Sequence, residues 1–194
     1  LRRIAHYDYW SDKVRRSVLM DSKADLLVYG NAERAIIEIA HRIANGEGPH
    51  QIRDIRGTAF VRKRVPDGWT VIDSSTIDSP GKVTPHLNPY EVSESAGSKD
   101  CDKDKSETAE VQTVTIIDPL SARKNKINRD TSVIRLPDYE TVKNDPVLYA
   151  HASRVLHLET NPGNARALVQ KHGEREVWLN PPPIPLETDE MDGV

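Results

Sequence analysis

The chain has 194 residues, enough for one ordinary domain or for one domain plus a long tail. Its 27 Lys and Arg against 30 Asp and Glu leave a net charge of −3, which gives no whole-chain argument for a nucleic-acid or membrane partner. Apolar residues make up 37%, Phe60 is the only Phe and Cys101 the only Cys. One thiol excludes an internal disulfide and an all-cysteine metal site within the chain, and it fits a reducing compartment such as the cytoplasm. No apolar run approaches the ~18 residues of a transmembrane helix. The opening Leu1-Arg2-Arg3-Ile4 runs straight into patterned sequence and reads as a piece of a longer protein.

In chain order, the aromatic run Tyr7, Tyr9 and Trp10 marks either an element boundary or the wall of a ligand site. Ser11 can cap a helix from about Asp12 to Asp21, with Val14 and Val18 four residues apart. Ala24 to Tyr29 is apolar after Asp25, the pattern of a buried parallel strand. Gly30 then permits a tight turn, and Asn31 is a good N-cap. Ala32, Ala35, Ile36, Ile39, Ala40 and Ile43 form one apolar helical stripe, and Gly46 supplies a stop. Residues 57–62 and 70–72 flank Pro66-Asp67-Gly68, which predicts a β-hairpin with Trp69 packed across it.

Residues 91–110 are rich in Ser, Asp, Glu and Lys and cannot bury enough apolar surface to offset backbone ordering, so a mobile polar insert is expected there. Val111 to Ile117 follows as a possible strand, then the basic residues Arg123, Lys124, Lys126 and Arg129. Asp138 can cap a short helix. Asp145-Pro146 opens a longer one to about Glu159, with Leu148, Ala152 and Val155 on its apolar side. Asn164 to Lys171 reads as another helix ended by Gly173, and Glu176 to Leu179 as a short strand. Pro181-Pro182-Pro183-Ile184-Pro185 enforces an extended exit.

Residues 1–64 hold 13 Lys and Arg against 8 Asp and Glu, a net +5, and the remainder balances this at −8. The basic part allows an interaction module, with nucleic acid as a disfavoured partner because the 123–129 run lacks aromatics for stacking. The seven histidines show no metal-ligand spacing; His151 and His157, six apart, fall on opposite sides of a helix. No nucleophile elbow, phosphate loop or zinc-protease motif is present. What remains is the Gly30-Asn31 turn at a helix N-terminus, a weak candidate for binding a nucleotide or another anionic ligand.

The string from Ala24 to Arg34, with Ile52-Arg53-Asp54-Ile55-Arg56-Gly57, resembles the closing part of the cobalamin-binding-like domain that precedes many radical SAM cores. Asn31 and Ala32 stand where that pattern has Glu and Gly, so no cobalamin contact is carried over, and a cobalamin binder using the Gly30 turn stays a third reading beside the nucleotide binder. His6 to Asp12, Val147 to Arg154, Glu159 to Leu168 and Val177-Trp178-Leu179-Asn180-Pro181-Pro182 resemble YgiQ-like radical SAM proteins over about residues 1–80 and 136–192. The resemblance implies a parent iron–sulfur enzyme whose CxxxCxxC run, absent from this chain, holds a 4Fe–4S cluster that binds S-adenosylmethionine. The expected fold is α/β: an incomplete parallel-type sheet with flanking helices, a hairpin, a disordered polar insert and a C-terminal helical segment. Its expected parts are residues 1–85, the end of a Rossmann-like domain, then the insert over 86–135, then 136–194 leading toward the core. The fragment itself is expected to be non-catalytic, to bind no metal or cofactor, and to pack on the rest of its parent chain.

Overall fold

The computed structural model describes residues 2–82 and 128–193. The polar stretch 91–110, the strand expected at 111–117, Cys101, Arg123, Lys124 and Lys126 lie outside the described residues. The chain begins with a small antiparallel hairpin, β1 (His6–Asp8) and β2 (Lys13–Arg15), with Tyr7 opposite Val14. The helix expected from Asp12 to Asp21 is therefore shorter and later. Asp12 takes a positive φ of 51° in the hairpin turn, and α1 (Val18–Ser22) starts behind Ser17, whose hydroxyl accepts from the Leu19 amide. Ser17 satisfies an orphan donor where the sequence suggested that Ser11 would.

β3 covers only Leu27–Val28, and α2 runs over Glu33–Ala44. After β4 (Thr58–Arg62) and β5 (Thr70–Asp73), the chain resumes at β6 (Ser132–Arg135), α3 (Tyr139–Val142) and α4 (Pro146–Leu158). β7 (Ala167–His172), β8 (Arg175–Leu179) and α5 (Thr188–Gly193) complete the described part. Six strands form one mixed sheet in the order β3-β4-β8-β7-β6-β5. The β5–β6 and β6–β7 pairs are parallel, and the other three are antiparallel. Strands on both sides of residues 83–127 thus share a single sheet.

Four local expectations change. The strand at 24–29 is not a buried parallel strand but a two-residue antiparallel strand on the sheet edge, pairing Leu27 with Ala59 and Val28 with Thr58. The turn at Gly68 forms with φ +85°, yet β4 and β5 do not pair, because β4 takes β8 and β5 takes β6. Residues 164–171 are not a helix: Ala167–His172 is a strand held between β6 and β8, with Gly173 at φ +61° turning it into β8. Only Ala35 of the α2 stripe is buried and Ile39 half-buried, while Ile36 and Ile43 face outward.

Alternation with period two divides the core across this sheet. Ile134, Leu168, Val177 and Leu179 point to one face, where Leu19 of α1 and Val155 of α4 join them. Val133, Val169, Trp178 and Phe60 point to the other, beneath Val65 and Trp69. Asp145 caps α4 through the Val147 and Leu148 amides, with Pro146 at its first turn.

Candidate functional site

The Gly30-Asn31 turn is the natural starting point. Gly30 has φ +76°, but the residue preceding α2 is Ala32, and Asn31 makes no capping bond. A Cβ on Gly30 would meet the Pro183 ring at 3.0 Å. One on Gly57, at φ +71°, would meet the same ring and the Tyr29 carbonyl at 2.9 Å. The two glycines form a notch, and the chain's own Pro183 fills it.

The residues before Pro183 are fastened on several sides. The Asn180 side chain accepts from Trp178 Nε1 at 2.8 Å, and its amide nitrogen lies 2.9 Å from the carbonyls of Arg53 and Ile55 and from Thr58 Oγ1. Indole can only donate and carbonyls can only accept, so the orientation of this amide follows from its partners. The Asn180 carbonyl receives the Tyr29 hydroxyl, and burial pushes that phenol up from its ordinary pKa. Gly57 donates to the Pro181 carbonyl at 2.7 Å, and Arg56 Nε donates to the Pro182 carbonyl at 3.0 Å. The 178–183 segment is thus clasped against residues 53–58 and the Gly30 turn.

Beside the clasp lies a cleft of about 490 Å³ bordered by Arg53, Arg56, Arg62, Arg129, Trp69 and Trp178. The Arg53 guanidinium sits 4.8 Å above the Phe60 ring and that of Arg62 4.8 Å above Trp178, with Trp69 edge-on to Trp178 at 4.8 Å. Each cation is thereby attracted to an aromatic face. Arg2, Arg15, Arg16, Arg34, Arg42, Arg135, Arg154 and Arg166 all have a carboxylate partner. Among the described residues, none of the four cleft arginines has one. Arg53, Arg56 and Arg129 instead donate to backbone carbonyls, and buried Arg62 Nε has no partner. Burial, and then the charge of Arg53, draw the Arg62 pKa down. The cleft therefore gathers four arginines that make no ion pair among the described residues, with Asp54 and Asp130 also on its border.

Sequence reasoning missed a third cluster. His151 Nε2 lies 3.0 Å from Ser74 Oγ, and its Nδ1 lies 3.5 Å from Asp78, which Arg154 also holds at 3.3 Å. The connectivity is that of a Ser-His-Asp triad, but Ser74 and His151 are 2% and 3% exposed. A nucleophile so enclosed offers no approach to a substrate, and the cluster ties the turn after β5 to α4. Its members are far apart in sequence, and no local motif announces them. Among the described residues, no group of three or more His, Cys, Asp or Glu is arranged to hold a metal ion. No helix there is long and apolar enough to cross a membrane.

The Trp178–Pro182 string carries much of the family resemblance, and it is the segment held by the clasp. A family model described as "Radical SAM N-terminal" matches residues 1–194. The chain belongs to this radical SAM N-terminal family. It is 58% identical over 194 residues to the UPF0313 protein PA4928 of Pseudomonas aeruginosa, covering the whole chain and 26% of that relative. A UPF0313 protein of Chromobacterium violaceum is 60% identical over 201 residues, and one of Vibrio cholerae 53% over 194. All of the chain is matched in both, with 26% and 23% of the relatives covered. The chain thus spans about a quarter of the length of these relatives. No solved structure gives a significant match.

Proposed function

We propose that this chain is the non-catalytic N-terminal part of a cytoplasmic radical SAM iron–sulfur protein, and that it packs on and orients the rest of that protein. The observation that carries this reading is the clasp on residues 178–183 in a chain matched end to end by the radical SAM N-terminal family. Clasping gives the proline segment one fixed course, so the polypeptide beyond it departs from a rigid point. In radical SAM proteins a 4Fe–4S cluster and S-adenosylmethionine supply the radical chemistry. The residues here do not fit that cluster, which takes three thiolates, whereas Cys101 is the chain's only cysteine. Its ligands are therefore assigned to other parts of the parent.

The test is anaerobic reconstitution of the full-length protein with iron and sulfide, read by visible absorption and by electron paramagnetic resonance after reduction. We expect a 4Fe–4S signal that survives Cys101→Ser and disappears when the CxxxCxxC cysteines are replaced. Failure to form a cluster, or its loss in Cys101→Ser, would overturn the proposal.

The arginine cleft favours a second reading, an interaction module for nucleic acid. Here the cations, Arg129 of the 123–129 run among them, line a cleft in which half-buried Trp69 is the ring left for a base to stack on. Phe60 and Trp178 are buried beneath Arg53 and Arg62. A single-stranded RNA oligonucleotide should then bind at low salt, weaken as salt rises, and bind less tightly to Arg53→Gln and Arg62→Gln. No binding at low salt removes this reading.

A further inference from the structure

We propose that the outer face of α2, together with the open edge of β3, is the surface on which the remainder of the same polypeptide packs. The proposal rests on the reading that this chain belongs to a longer radical SAM protein, and it names the surface of attachment.

α2 has two apolar faces. One is already used, because Ala35 and Ile39 pack with Val28, Ile52 and Ile55. The other consists of Ile36, Ile37, Ala40, Ile43 and Ala44, all exposed, with the isoleucines 54%, 56% and 43% accessible. Positions 36, 40, 43 and 44 follow the i, i+4, i+7, i+8 spacing of a core-facing stripe. A surface helix needs one such stripe, and a helix apolar on two sides belongs between two layers.

The charges around the stripe point to the same kind of partner. Arg34 is paired with Glu190, and Arg42 with Glu38, Glu47 and Asp54, so the flanking cations are neutralised by their own neighbours. With both arginines paired and Glu33, among the described residues, the one unpaired charge near its start, this face suits apolar packing more than an electrostatically steered encounter.

β3 is one of the two edge strands of the sheet and pairs only with β4. It is short, two residues, but Leu27, Val28 and the preceding Leu26 are all aliphatic, with no Lys or Pro among them. An aliphatic edge leading into a helix with an uncovered face is the arrangement expected where further strands and their cover continue. The relatives, of which this chain spans about a quarter, contain ample polypeptide to supply them.

The experiment uses the full-length chain with benzoylphenylalanine placed at Ile43, and separately at Ala44 on the same stripe in case the first variant fails to fold. A control position is Glu174 in the β7–β8 turn. After irradiation of a mixture of nitrogen-15-labelled and unlabelled protein, cross-linked peptides are mapped by mass spectrometry. The expected result is a cross-link from both α2 positions, absent at Glu174, to peptides lying outside residues 1–194 of the same isotopic copy. Cross-links between copies, cross-links to residues 83–127, or none above the control would each overturn the assignment. Cluster reconstitution is scored independently: a protein that binds its cluster but shows no such cross-link refutes the surface alone.

Discussion

Replacing Asn180 tests whether the clasp is a principal fastening of this fold. The side chain is buried, and its amide can donate only two hydrogen bonds to its three neighbouring acceptors. In Asn180→Ala, the Ile55 carbonyl keeps the Thr58 hydroxyl, which donates to it at 2.6 Å, so that group stays satisfied. Trp178 Nε1 and the Arg53 carbonyl lose their side-chain partner. At about 1–3 kcal/mol for each of these two groups, with the Arg53 carbonyl only part-buried, the expected loss is about 2–4 kcal/mol. That corresponds to a Tm lower by roughly 4–16 °C for a chain of this size.

Asn180→Asp sharpens the test because it preserves shape. The new carboxyl can still accept from Trp178, but it turns an acceptor toward the Arg53 and Ile55 carbonyls. Burial and those carbonyls would raise its pKa above the unfolded value of about 3.9. The unfolded state then releases the proton more readily, so the variant's penalty grows as pH rises through this interval and shrinks at low pH. Urea unfolding followed by tryptophan fluorescence measures both effects. A loss below about 1 kcal/mol in Asn180→Ala, or a pH-independent penalty in Asn180→Asp, would refute the clasp as an energetic feature.

The remaining predictions use other parts of the same unit. His172 is buried and stacked on Tyr139 at 5.2 Å, with no hydrogen-bond partner for either ring nitrogen, and burial first, then Arg16, pushes its pKa down to about 4. Its contribution to stability is full above the unfolded pKa of about 6.5 and is lost as pH falls toward about 4, by up to about 3 kcal/mol. His172→Phe should flatten the stability profile across that window, and an unchanged slope in urea titrations would argue against this origin. Gly57→Ala should destabilise more than Gly46→Ala by at least about 1 kcal/mol, since both sites have positive φ but only Gly57 has Pro183 and the Tyr29 carbonyl in the way. Equal Tm losses would show that the proline notch contributes nothing.

The elements that sequence reading recovered are those whose determinants are local. α2 has a 3.6-residue apolar repeat and Gly46 beyond its end, and α4 has Asp145-Pro146 at its start. The errors arise where partner choice decides. Residues 164–171 contain good helix formers, yet a place between β6 and β8 makes Ala167–His172 a strand, and burial in mid-sheet outweighs propensity. Pro66-Asp67-Gly68 does turn the chain, but a turn determines direction and not pairing. β4 and β5 part because Phe60 and Trp178 share one face of the antiparallel β4–β8 pair, while β5 aligns with β6 far along the chain.

The site follows the same rule at longer range. Asn180 reaches carbonyls more than 120 positions away, and the cleft arginines come from 53–62 and from 129, so no window of sequence contains either constellation. What was legible was the string Trp178-Leu179-Asn180-Pro181-Pro182, whose specificity the clasp now explains in physical terms. The indole needs an acceptor, Asn180 provides it while satisfying two loop carbonyls, and the prolines follow a path that only glycine at 30 and 57 leaves open. The Gly30 turn looked like a ligand cradle because a glycine at a helix entrance serves either an anion or a close backbone approach. Pro183 lying against it shows the second use. The apolar strand before it looked fully buried because its residues are those of a buried strand. Its edge position in this chain, beside the uncovered face of α2, is what makes a covering layer from the same polypeptide the physically consistent completion.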